Sequence, residues 1–151
     1  MKNLVPLNLK PAPLKLSQKE GQVYVWDQIR KKHLVLTPEE WVRQHLIHYF
    51  ISELQVPLAA FSLEGGFRLN GKLKRSDILI YKNAQPCLLV ECKAPQVKIS
   101  QDTFDQASRY NMHYQLPYLA ISNGLEHYWL RIKEGGKSYY FTEKLEPFSQ
   151  W

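Results

Sequence analysis

Apolar residues recur at helical spacing in two segments of the chain, and at strand spacing or in short continuous runs through most of the rest. The first helical segment has the clearest start signal. Thr37 is a good N-cap, Pro38 suits the first helical position and Glu40 completes a Thr-x-x-Glu capping box, so a helix is expected from about Pro38 to Glu53. Val42, Leu46, Phe50 and Leu54 line up as its buried stripe. Glu39 and Arg43 fall inside that stripe. A carboxylate on the core-facing side of a helix N-terminus must be paired, bind a metal or do chemistry, because burying it alone is costly.

The second helical segment starts at Ser100 or Thr103 and runs through about Tyr114, with Phe104, Ala107, Asn111 and Tyr114 on one stripe. Between the helices, AAFSLEGGFRL and KLKRSDILIYK read as two strands joined at Asn70-Gly71, a strong hairpin signal. QPCLLVECKA follows as a central strand covered on both faces. Beyond the second helix, PYLAISN is a buried strand, LEHYWLRI the next, and Gly135-Gly136 turns into KSYYFTE as an edge hairpin. Upstream, the stretch from Gly21 to Leu36 suggests one or two short strands broken by Arg30, Lys31 and Lys32, which read as a solvated edge. Residues 1–20, punctuated by Pro6, Pro11 and Pro13, form an arm, and residues 21–151 a single domain. Helix, three strands, helix, then more strands predicts an α/β sandwich with a mixed sheet between helices.

Composition narrows the class. A chain of 151 residues, 44% hydrophobic and 23% charged, is expected to fold as one domain rather than as a multi-domain machine or a disordered segment. Its net charge of +6 favours polyanionic partners. The longest apolar run, Val56 to Phe61, contains Pro57, so no membrane span is expected. The N-terminal residues lack the apolar core of a signal peptide, which makes the cytoplasm the expected compartment. Cys87 and Cys92, five apart in one strand, should point to opposite faces and offer neither a disulfide nor a metal pair. His45, His48, His113 and His127 lack a third ligand at zinc spacing. Trp26, Trp41 and Trp129 read as core or sheet surface. Glu64 reads as an exposed strand residue, with a further ligand role as the less favoured alternative. Between Gly66 and Lys82 lie Arg68, Lys72, Lys74, Arg75 and Lys82 against one acid, Asp77, so this hairpin could engage phosphates or simply be a solubilising one.

The candidate chemistry lies in Asp77 on one strand and Glu91-Cys92-Lys93 on the next. Residues 91 and 93 leave the same face of a strand, and two charges at the end of an apolar run break its pattern. Two carboxylates suit Mg²⁺, which lowers the pKa of a bound water and offsets charge on a phosphate. Lys93 could orient the nucleophile or steady charge on phosphorus. A cross-strand ion pair is the alternative reading of the same three residues.

Asp77 followed after a short spacer by Glu91-Cys92-Lys93 resembles the PD-(D/E)xK nuclease superfamily. Gln106 and Tyr110 match the Gln-x-x-x-Tyr motif of several of its branches, and Glu39 the helical carboxylate those branches carry. TPEEWVRQHLI, the strand around Lys74 to Asp77 and SNGLEHYWL are most similar to the N-terminal domain of type I restriction enzyme R subunits. The resemblance implies a three-layer α/β/α restriction-endonuclease-like fold, with a central mixed β-sheet flanked by helices. It implies a metal-dependent endonuclease acting on DNA, with Mg²⁺, or Mn²⁺ in its place, held by Asp77, Glu91, the Cys92 backbone carbonyl and Glu39. Lys93 would assist the attacking water, and Gln106 and Tyr110 would shape the site or hold phosphate. Glu40 is the alternative helical carboxylate. Ser76 stands where the superfamily name has Pro, and Gly135-Gly136-Lys137-Ser138 fails the phosphate-loop pattern of a translocase. The rivals are a nucleic-acid- or partner-binding module of the same fold and a nuclease subunit that needs a separate translocase; a homodimer or partner protein stays open.

Overall fold

The computed structural model describes residues 4–69, 71–133 and 138–151, with the backbone alone at 66–69, 72–75, 110 and 112–114. Helix α1 spans Pro38–Ser52 and begins as its sequence dictates: Thr37 is extended and its hydroxyl accepts from the Glu40 backbone N–H at 3.0 Å. Only that half of the capping box forms. The Thr37 N–H donates instead to the Val35 carbonyl at 3.0 Å, and the Glu40 side chain is engaged elsewhere. Val42, Leu46, Phe50 and Leu54 are all buried, as their spacing requires.

Ahead of α1, strands β1 (Leu16–Lys19), β2 (Gln22–Asp27) and β3 (Lys32–Val35) form an antiparallel three-stranded sheet. Residues before it pack back on the domain: the Trp41 indole donates to the Val5 carbonyl at 3.0 Å, and Leu7 and Leu9 rest on the core.

The two long strands expected after Pro57 are four short ones. β4 (Phe61–Leu63), β5 (Gly66–Leu69), β6 (Lys72–Arg75) and β7 (Ile78–Lys82) follow in turn. β5 and β6 pair with each other as a separate ribbon, while β4 pairs with β7. The breaks fall at Glu64-Gly65, where Glu64 has a left-handed φ of 51°, and at Ser76-Asp77. Asn70 lies outside the described residues.

β8 (Gln85–Cys92), α2 (Gln101–Tyr114), β9 (Tyr118–Ser122), β10 (His127–Ile132) and β11 (Tyr139–Thr142) complete the chain. Gly135-Gly136 lies outside the described residues. The central sheet runs in the order β11-β10-β9-β8-β7-β4 and is mixed, with β8 antiparallel to β7 and parallel to β9. Leu88, Val90 and Ala120 pack with α1, whereas Leu89 and Ile121 pack with Ala107 of α2. The helices therefore cover opposite faces, giving the three-layer α/β/α arrangement. One parity expectation fails: Cys87 and Cys92 are free thiols buried in the same core cluster. The pairing runs Ile80 to Leu88 and then Tyr81 to Pro86, so Cys87 is an extra residue at a bulge, which breaks the alternation.

Candidate active site

Asp77 does not lie within a strand; it is the residue immediately before β7. The β7–β8 register pairs Ile78 with Val90, so one step further on Asp77 faces Glu91. Its Oδ2 accepts from the Cys92 backbone N–H at 2.7 Å, which ties it to the end of β8. Just past that end, the Lys93 Nζ lies 3.2 Å from Glu91 Oε1. The Lys93 N–H in turn donates to the Ser122 carbonyl at 2.8 Å, so β9 anchors the turn-off.

The electrostatics show a crowded anionic site. Burial, and then the neighbouring Asp77 charge, push the Glu91 carboxyl up to about 7 in spite of Lys93. Burial and Asp77 also raise Glu39. The Lys93 ammonium is partly buried, which works against its charge, but Glu91, Asp77 and Glu39 outweigh that and hold it above its usual value. The buried Cys92 thiol is pushed far up and stays protonated.

From α1, Arg43 reaches into the same place. Its Nη2 donates to Asp77 Oδ1 at 2.7 Å and to Glu39 Oε1 at 3.0 Å, and its Nη1 is bonded to Glu40. Glu40 is 6% exposed and also accepts from Arg30 at 2.7 Å and Gln44 at 2.8 Å. Glu39 keeps 44% of its side chain exposed. The two helical carboxylates are thus separated in role: Glu40 is committed to internal ion pairs, and Glu39 is the one open to solvent beside Asp77. Arg30, expected on a solvated edge, is a partly buried bridge between Asp27, Glu40 and Glu64. Glu64 lies in this network, 2.9 Å from Arg30 and 3.8 Å from Arg43.

A family model of the type I restriction enzyme R protein N terminus matches residues 38–145, well over half the chain. The chain belongs to that family. No curated protein and no solved structure gives a match. Within the matched segment of this R-protein N-terminal domain lie Glu39, Arg43, Asp77, Glu91 and Lys93, whereas Asp27 and Arg30 precede it.

Gln106 is exposed on α2, and the Tyr110 side chain lies outside the described residues. So do the side chains of Arg68, Lys72, Lys74 and Arg75. Lys82, read with them as either phosphate-engaging or solubilising, donates to the carbonyls of Phe148, Ser149 and Trp151. The residues the sequence reading missed are Arg30, Asp27 and Gln44, together with the role of Arg43. For Arg43 a signal existed, since it stands three and four residues after the two helical glutamates, the spacing of helical ion pairs.

Among the described residues, no three His, Cys, Asp or Glu side chains form a cage for a metal ion. Mg²⁺ needs less, one or two carboxylates with water filling the other positions. Asp77 and Glu91 are donors of that kind, and the carboxylates around them outnumber the cations. Arg30, Arg43 and Lys93 face twice as many carboxylates, those of Asp27, Glu39, Glu40, Glu64, Asp77 and Glu91. The donor set fits a hard divalent cation.

Proposed function

We propose that the chain is a metal-dependent nuclease that hydrolyses phosphodiester bonds of DNA. What supports this most is the meeting of Asp77, Glu91 and Lys93 at the end of β8, where Glu91 is held near a pKa of about 7 by burial and by Asp77. Membership of an R-protein family of restriction enzymes favours DNA as the substrate, and with it a cytoplasmic setting. Asp77, Glu91, the Cys92 carbonyl and the exposed Glu39 would hold Mg²⁺, or Mn²⁺ in its place. The ion would make a bound water acidic and offset negative charge on the phosphate.

The rest of the work falls to side chains. Asp77, fixed by the Cys92 N–H and Arg43, is aimed before any ligand arrives. Lys93, held charged beside Glu91, would orient the attacking water and steady charge on phosphorus. Gln106 and Tyr110 on α2 would shape the site or hold a phosphate. Plasmid incubated with Mg²⁺ or Mn²⁺ tests the reading. Wild type is expected to nick or linearise it, and Lys93→Ala to lose about a hundredfold or more of that rate. If both proteins bind DNA and neither cuts it, a binding module of the same fold takes the place of the nuclease.

A further inference from the structure

Arg43 has a side chain only 6% exposed, inserted between three carboxylates that belong to the candidate site and its support. Its Nε is buried and has no hydrogen-bond partner. A buried donor left unpaired is unfavourable, so the pull of Asp77, Glu39 and Glu40 on the two Nη groups dictates where the guanidinium sits. Asp77 is bound twice: Oδ2 by the Cys92 N–H and Oδ1 by Arg43. The first bond already aims the carboxylate, because it comes from the backbone of the strand beside it. What Arg43 adds is positive charge on the other oxygen. A second cation brought within a few ångströms of the guanidinium would be repelled strongly, since the site is partly desolvated and weakly screened.

We infer that Arg43 is a resident counter-cation of the site: it neutralises Asp77 where a divalent ion would, and so sets the affinity for that ion. This rests on the reading of Asp77 as a metal ligand. Arg43 is a positioning residue in these terms, acting through Asp77 rather than on a phosphate. Glu40 is its counterweight, binding Nη1 while Nη2 holds Asp77, and is itself held by Arg30 and Gln44.

Calorimetric titration of Mn²⁺ into the whole chain tests this without measuring cleavage. Replacing Arg43 alone would strip the buried Glu40 Oε2 of its partner, so the informative variant is the double one, Glu40→Gln with Arg43→Gln, which leaves the net charge as in wild type. The double variant is expected to bind Mn²⁺ about tenfold more tightly than wild type, and Glu40→Gln alone a few-fold more weakly. Affinity in the double variant equal to or below wild type overturns the inference. If circular dichroism shows the double variant unfolded, Glu40→Gln decides: weaker binding supports the inference, and equal or tighter binding overturns it. A wild type that binds no Mn²⁺ removes this inference and the metal-dependent reading together. Wild-type binding that Asp77→Asn loses, with no gain in the double variant, removes this inference alone.

Discussion

Glu91 carries a pH dependence whose sign follows from its burial. The carboxyl is raised from 4.5 to about 7, first by desolvation and then by Asp77, against the opposing pull of Lys93 3.2 Å away. The folded chain therefore binds a proton there more readily than the unfolded one. Stability falls as pH rises from about 4.5 to 7, and the cost, a few kcal/mol, is complete above that range. Glu91→Gln is expected to melt above wild type at pH 8 and together with it near pH 4, in thermal denaturation followed by circular dichroism. A variant less stable than wild type at pH 8 would contradict the burial of an unwanted charge. Protonation also competes with a cation for the same oxygens, so Mn²⁺ affinity should fall below pH 7. The pattern of residues 77, 91 and 93 was legible because charges at the ends of apolar runs stand out. Arg43 was visible as a charge in a buried stripe, but its partner Asp77 is 34 positions away and no local rule joins them.

At the scale of elements, α1, β8, α2, β9 and β10 follow from capping residues and apolar runs, because each buries a face with the period of its own backbone. The expected long hairpin failed where backbone breaks intervened. Those breaks let β4 stay in the central sheet while β5 and β6 leave it, and the turn-off sets Asp77 against the end of β8. The β9–β10 turn shows a tertiary demand of the same kind. Gly124 has a φ of 83°, and a Cβ there would lie 2.7 Å from the Leu7 side chain and 3.0 Å from Val42. Gly21 has a φ of 79° but open space around it. Gly124→Ala should cost about 2–4 kcal/mol by urea denaturation, and Gly21→Ala only about 1 kcal/mol of backbone strain. Equal losses at the two positions would show that the packing of residue 7 against the turn contributes nothing.

The whole molecule combines a net charge of +6 with a site whose described side chains are predominantly acidic. Binding of a divalent ion to the folded state alone must stabilise it by mass action, so Mn²⁺ should raise the melting temperature of wild type and not of Asp77→Asn. Equal shifts in the two proteins would remove Asp77 from the ligand set. By itself, the sequence determined the α/β class, the two helices, the central apolar strand and the placing of Glu91 and Lys93 on one side of its end, since these depend on periods of two and 3.6 residues read over short windows. Only the tertiary structure decided which helical glutamate faces solvent, that Arg30 is paired with three carboxylates rather than solvated, and that Arg43 shares Asp77 with the backbone of β8. Those outcomes depend on which side chains meet across β2, α1 and β7, and a buried charge takes whichever partner the packed layers bring within reach.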